Sequence, residues 1–537
     1  MWLSPLLLAA QDEPLAPVSG AYAITNATIV VSPGKRIDRG TVVVRDGLII
    51  AVGPRVTIPG DALIIKADSM YVYAGFIDGY SHTGVSAPKE GQKEKVKYPG
   101  NPPPDRAGIN PHIDVRDFLN TSDRAVAELR GQGFTMAQVV PQGNFLPGQA
   151  ALVLLGEGPA DRLVVQGKSA LYSELTGAAG VYPSTVMGVM AKWRELYHQA
   201  SLAKGHQAAY AANPAGLERP ASDRTLEAFY PVMEKRQPVL FKAERVIEAQ
   251  RVLRLKDDFG FNLLMADLKE GWPIVDKIRG SGAGVFLSLE LPEEIKGEKK
   301  EDKGDAPSAE KKALEQVKAT SVANYVSQAA VLSKAGIRFG FSANSVKAAD
   351  ISTNLRRMVA AGLSEEEALA ALTTTPAQML GVATRMGTVE LGKMANLIVT
   401  SKPYFSEKAT VKYIFVEGKL YTHATPKKPA GGNKINLAGS WTYTTETPQG
   451  KGGGKLVIKE SGGIFMGTIT NNFSGKETEV KEISLEGTSL TFSYTIDAGG
   501  SAMKIAVTAQ VQDDRFEGSM TAGQFGTFPI TGTRDPK

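Results

Sequence analysis

From Phe76 onward, short apolar runs and amphipathic helical stretches alternate over roughly 300 residues, and this alternation narrows the fold more than any other feature. The runs FTMAQVV, RLVVQG, PVLFKA, FNLLMA, AGVFLSLE and GIRFGFSA have the length and branched or aromatic content of buried strands. Between them stand TSDRAVAELRGQG, ERVIEAQRVLRLKDDFG and SVANYVSQAAVLSKAG, with apolar residues at helical spacing. Strand followed by helix, repeated, predicts parallel strands covered by helices on their outer side. Over residues 73–383 that pattern predicts an α/β domain, a TIM-like (β/α)8 barrel.

The flanks obey a different period. YAITNATIVV, GTVVVRDGLIIAVG and ALIIKADSMYVY alternate apolar and polar residues with Gly and Asp-Gly breaks, and GTVELGKMANLIVTS and VKYIFVEGKLY return to that alternation after the barrel. Neither flank alone buries enough apolar surface to be stable, so residues 21–72 and 384–422 are predicted to form one small composite β-domain. Residues 423–436 (around THATPKKPAGGNK) read as a linker. Residues 437–537 carry eight short strands at hairpin spacing, which predicts an all-β antiparallel barrel or sandwich. APKEGQKEKVKYPGNPPPDRAG and PEEIKGEKKEDKGDAPSAEKK are charged and aperiodic, and read as solvated loops.

Composition excludes several classes. The net charge of +5 is small for 537 residues, and acids are mixed with the lysines, which gives no nucleic-acid footprint. Cysteine is absent, so disulfides, thiolate metal sites and cysteine nucleophiles are excluded. Residues 1–20 begin with MWLSPLLLAAQ, an apolar stretch ending in small residues. They predict a signal-like or disordered N-terminus and a periplasmic or secreted protein. No stretch is long and apolar enough for a transmembrane helix.

Chemistry concentrates in YAGFIDGYSHTG, Tyr73 to Gly84, where a strand opens into a loop. Alternation puts Asp78, Tyr80 and His82 on one face. His-x-His at that place would bind a metal, but the first imidazole position holds Tyr80. The whole chain has five histidines (His82, His112, His198, His206 and His423), and of these His82 alone ends a predicted barrel strand. Ser342 and Ser345 near the last barrel strand could act as nucleophiles only with a positioned base, for which His82 is the candidate.

Several patterns in order resemble the metal-dependent amidohydrolase superfamily, in its imidazolonepropionase-like and dihydroorotase-like branch. Gly75, Ile77, Asp78 and His82 match its first-strand pattern. LTTTPAQMLGV, with Thr373, Pro376 and Ala377, matches a helix pattern, and Gly387, Gly392, Ala395 and Leu397 match its closing flank. The resemblance covers residues 20–422 and implies one or two metal ions held by strand-end histidines and acids. On those positions this chain places Tyr80, Lys242, Ala266 or Asp267, and Asn344. Neutral phenol and carboxamide are poor zinc ligands. GSW (Gly439 to Trp441) and Arg534 separately resemble a lipocalin-like pattern, in which Trp and Arg close one end of a β-barrel.

These features predict an amidohydrolase-like protein without its metal, acting as a non-catalytic binding or partner subunit, either as a homo-oligomer or with an active amidohydrolase paralogue. The vestigial site consists of Asp78, Tyr80, His82, Lys242, Asp267 and Asn344, with no metal and no other cofactor. Lys242 is predicted to bond Asp267 or Asn344 in the former metal pocket. The alternative is an active hydrolase of C–N bonds (amide or cyclic amide) with an atypical site, for which zinc would be the metal. A third reading makes the C-terminal β-domain the binding end of a carrier protein.

Overall fold

The structure, a computed structural model, describes residues 20–87, 96–293, 309–422 and 437–535, apart from 448–449, 462–463, 473–476, 487, 499–500 and 523–526. The signal-like residues before Gly20, part of each charged stretch and the linker 423–436 lie outside the described residues. The chain divides into two compact units, Met1–His423 and Ala424–Lys537.

In the first unit, both ends of the segment build one eight-stranded sheet. Strands β1 (Ala21–Ser32), β2 (Lys35–Arg45), β3 (Leu48–Gly53), β4 (Leu63–Lys66) and β5 (Tyr71–Ala74) come from the N-terminal side. β5 pairs antiparallel with a strand more than 300 residues later in the chain, Leu397 lying opposite Ala74. The alternating residues Ile24, Ile29, Val42, Val44, Val72, Leu397, Val399 and Phe415 meet on one face as a separate apolar cluster.

Between these flanks lies a closed barrel of β6 (Phe76–Ser81), β7 (Phe134–Val139), β8 (Gly148–Leu154), β9 (Val164–Ser173), β10 (Val239–Lys242), β11 (Leu263–Leu268), β12 (Gly284–Ser288) and β13 (Phe339–Ser342). The uniform (β/α)8 pattern is not what forms. β8 runs antiparallel to both neighbours, β7 and β9. The cause is connection length: 140–147 holds Pro141, Gly143 and Pro147, and is too short and too broken for a crossover helix, which needs a dozen residues or so. The other neighbouring pairs around the barrel are parallel.

Close packing fixes the first barrel strand. Gly79 lies under the ring of Phe286 from β12, so that a Cβ there would sit 1.9 Å from it. Ile77 and Gly79 share one face of the strand, and Asp78 and Tyr80 the other. The sheet completed by β14 (Leu397–Thr400), β15 (Val411–Val416) and β16 (Lys419–Thr422) is bolted to the barrel by the nearly buried Arg130. Its guanidinium stacks 3.9 Å from the Tyr421 ring, donates to the Leu155 carbonyl and pairs with Glu157 at 2.9 Å.

In the second unit, eight antiparallel strands from β17 (Gly439–Thr447) to β24 (Thr527–Arg534) follow one another and close, β24 pairing with β17. Trp441, Leu456, Ile458, Phe492, Val507, Phe516 and Ile530 are among the side chains that fill it. The Arg534 guanidinium lies 4.5 Å from the centre of the Trp441 ring and donates to the Ala438 carbonyl at 2.8 Å. Trp441 Nε1 donates to Leu437 at 3.1 Å.

Candidate functional site

At the C-terminal ends of the parallel strands, where barrels of this kind carry their chemistry, a row of hydrogen bonds crosses the mouth. His82 Nδ1 lies 3.1 Å from the Val140 carbonyl, which can only accept, so Nδ1 carries the proton and Nε2 is an acceptor. The Tyr80 hydroxyl stands 3.3 Å from Nε2 and 2.7 Å from the Tyr172 hydroxyl, which lies 2.5 Å from Glu174 Oε1. In the last of these contacts the Tyr172 hydroxyl donates to the Glu174 carboxylate. Burial raises the Glu174 carboxyl above its ordinary value, against the lowering effects of the Tyr172 hydrogen bond and of Lys242. Burial also lowers His82 and, helped by the Glu174 charge, pushes Tyr80 well up, so the imidazole and phenol stay neutral.

Tyr172 and Glu174, at and just past the end of β9, are members of this site that sequence reasoning missed. The signal was present in LYSEL, where a carboxylate follows an apolar strand that starts at a predicted run.

Asp78 is fully buried. Its Oδ1 accepts from the amides of Ala343 at 3.0 Å and Tyr80 at 3.2 Å, which ties the first barrel strand to the last. Burial raises its pKa to about 7, against the lowering by the Ala343 and Tyr80 amides and the Ser81 side chain, and the Asp267 charge adds to the rise. Asp267 has a left-handed backbone (φ 56°) at a register shift in β11. That turn aims its carboxylate at β13, where it accepts from Ser342 at 3.1 Å and Ser345 at 2.8 Å.

The expected bond from Lys242 to Asp267 or Asn344 does not form. Lys242 is in register with Ala266, one residue short of Asp267, and its ammonium pairs with Glu244 at 3.2 Å. Glu244 and Glu290 in turn hold Lys269, at 3.7 and 2.6 Å. Lys242 stays charged: Glu174 and Glu244 raise its pKa more than burial lowers it. The Asn344 backbone N–H donates to Ser342 Oγ, and the two serines are engaged by Asp267 rather than His82, which removes the base from the nucleophile reading. A cavity of about 320 Å³ opens on Glu174, Thr176, Lys242, Glu244 and Glu248.

The residues present do not fit a divalent ion. The strand ends offer one imidazole, two neutral phenols, an ammonium, Asp78 engaged by two backbone amides, Glu174 engaged by Tyr172, and Asp267, whose two oxygens already take serine protons. Among the described residues, no group of three or more His, Cys, Asp or Glu side chains is placed to share a metal.

Residues 284–421 match the Amidohydrolase family. An amidohydrolase from Thermotoga maritima MSB8 is similar in structure, with a TM-score of 0.60 at 22% identity, over 75% of this chain and 100% of that one. A prolidase complexed with N-methylphosphonate-L-proline gives 0.43 at 15% identity over 75% and 100%. An adenosine deaminase from Xanthomonas campestris with bound zinc gives 0.40 at 14% identity over 74% and 92%. No curated protein matches the chain. The chain thus carries an amidohydrolase family segment within an amidohydrolase fold.

Proposed function

We propose that this chain uses the amidohydrolase fold without metal-dependent hydrolysis, as a binding or partner subunit whose barrel mouth receives a ligand or a protein. The observation that carries this reading is Tyr80. It stands on the inward face where a first ligand would be, and its hydroxyl is bonded to His82 and Tyr172. Without a metal there is no hydroxide at neutral pH and no Lewis acid. The partner is another copy of this chain or an active paralogue. The signal-like N-terminus supports export, and the Trp441–Arg534 stack supports a lipocalin-like role for the C-terminal barrel.

The test is elemental analysis of protein purified without chelator or added metal, beside hydrolysis assays on amides, cyclic amides and dipeptides. Substoichiometric zinc, iron and manganese with no chelator-sensitive turnover are expected. Stoichiometric metal with chelator-sensitive turnover would overturn the reading. That outcome would favour the alternative, an active C–N hydrolase with an atypical site, for which the buried carboxylates of Asp78 and Asp267 are the specific support.

A further inference from the structure

A second cavity, of about 380 Å³, lies on the outer wall of the α/β barrel. Its lining includes His112, Gln149, Lys168, Arg224, Glu227 and Gln237. Register places it outside the barrel: Gly148 is paired with Tyr172, whose side chain points inward to Tyr80, so the next residue, Gln149, points outward.

The floor is built from two buried amides, Gln149 at 3% exposure and Gln237 at 6%. Gln149 Nε2 donates to the Pro111 carbonyl at 2.6 Å, beside His112. Gln237 Nε2 donates to Gln149 Oε1 at 2.6 Å and to the Lys168 carbonyl at 2.7 Å. Buried amides are costly unless bonded, and here their bonds hold the backbone segments that present His112 and Lys168. The strand itself bends to do so. β9 bulges between Gln166 and Ala170, and Lys168 takes a left-handed backbone (φ 50°), a conformation that costs a non-glycine residue and serves to re-aim its side chain. Arg224 opens a one-turn helix that Asp223 caps through the amides of Thr225 and Leu226.

Charge decides the ligand. Among the described residues neither Lys168 nor Arg224 forms an ion pair, although both line the cavity. The opposing carboxylates are Glu227, which takes a hydrogen bond from Ser222 at 2.8 Å, and Asp114, whose charge also reaches Lys168. Asp114 is already held by Arg116 through two bonds, at 2.9 and 2.7 Å.

We propose that this flank cavity binds a small oxyanion, the phosphate or carboxylate group of a metabolite-sized molecule, through Lys168, Arg224 and His112. The proposal is independent of the barrel mouth and of its metal. The test is calorimetric titration of the full chain with inorganic phosphate and, separately, with citrate, at low ionic strength. Saturable one-to-one binding of either anion is expected, and whichever binds identifies the group. Lys168→Gln with Arg224→Gln should weaken it at least about ten-fold. Both side chains are exposed, so folding is spared, and Lys168→Arg should retain the binding. Absence of saturable binding up to about 10 mM of either anion, or equal affinity in the double variant, would refute the site.

Discussion

The molecule contains two closed eight-stranded barrels, and they spend their interiors in opposite ways. The C-terminal barrel is filled with apolar side chains from Leu437 to Ile530, closed at one place by Trp441 under Arg534. The α/β barrel has an equally dry lower core around Phe134, Met136, Leu240 and Met265. Its mouth, however, is crossed by Asp78, Tyr80, His82, Tyr172, Glu174 and Asp267. An apolar interior yields stability and little else, whereas a buried polar row is costly unless every member finds a partner. The mouth keeps its ionisable groups by bonding them to one another and to strand-end amides. It thereby keeps the polarity of a site within a network of hydrogen bonds.

The contrast is broken most directly at Trp441. Trp441→Ala removes a fully buried ring and should cost about 3–5 kcal/mol. In scanning calorimetry it should shift one transition, that of Ala424–Lys537, and leave the other in place. A single transition that moves as a whole would contradict independent barrels.

Protonation sharpens the contrast at the mouth. Asp78 has its pKa raised to about 7, so the folded state binds the proton more tightly than the unfolded chain does. Its contribution is full below the ordinary carboxyl value near 4 and is lost as pH rises toward about 7. At about 1.4 kcal/mol per pKa unit this is on the order of 2–4 kcal/mol. Urea midpoints of the first unit should fall over that range, and Asp78→Asn should flatten the fall. An unchanged slope would assign the titration elsewhere.

The smallest effects separate the two charges that were expected to pair. Asp267→Leu strips the acceptor from Ser342 and Ser345 and should cost roughly 1–3 kcal/mol. Lys242→Met breaks a half-exposed pair with Glu244 and should cost less than about 1 kcal/mol. Equal losses in urea unfolding would mean that Lys242 supports the mouth after all.

The fold was legible because its signals are local. Six of the apolar runs, with the first strand in YAGFIDGYSHTG, coincide with seven barrel strands, since strand length and period are written in consecutive residues. The missing one, Gly148–Leu154, reads AALVL after GQ and gives no period, and its direction depends on a connection rather than on itself. The common face of Asp78, Tyr80 and His82 followed from alternation alone. Tyr172 and Glu174 did not, because nothing near them in sequence reveals that β9 ends across the mouth from β6.

By itself, then, the sequence determined where strands and helices alternate, which flanks are β, that cysteine chemistry is absent, and that Asp78, Tyr80 and His82 share one strand face. Those are properties of composition and period. Tertiary structure alone decided which groups share hydrogen bonds across the mouth, that a bulge turns Asp267 toward two serines, and that Lys242 meets Glu244 instead. A hydrogen bond or ion pair is settled over a few tenths of an ångström, and register shifts and backbone handedness move a side chain by far more than that.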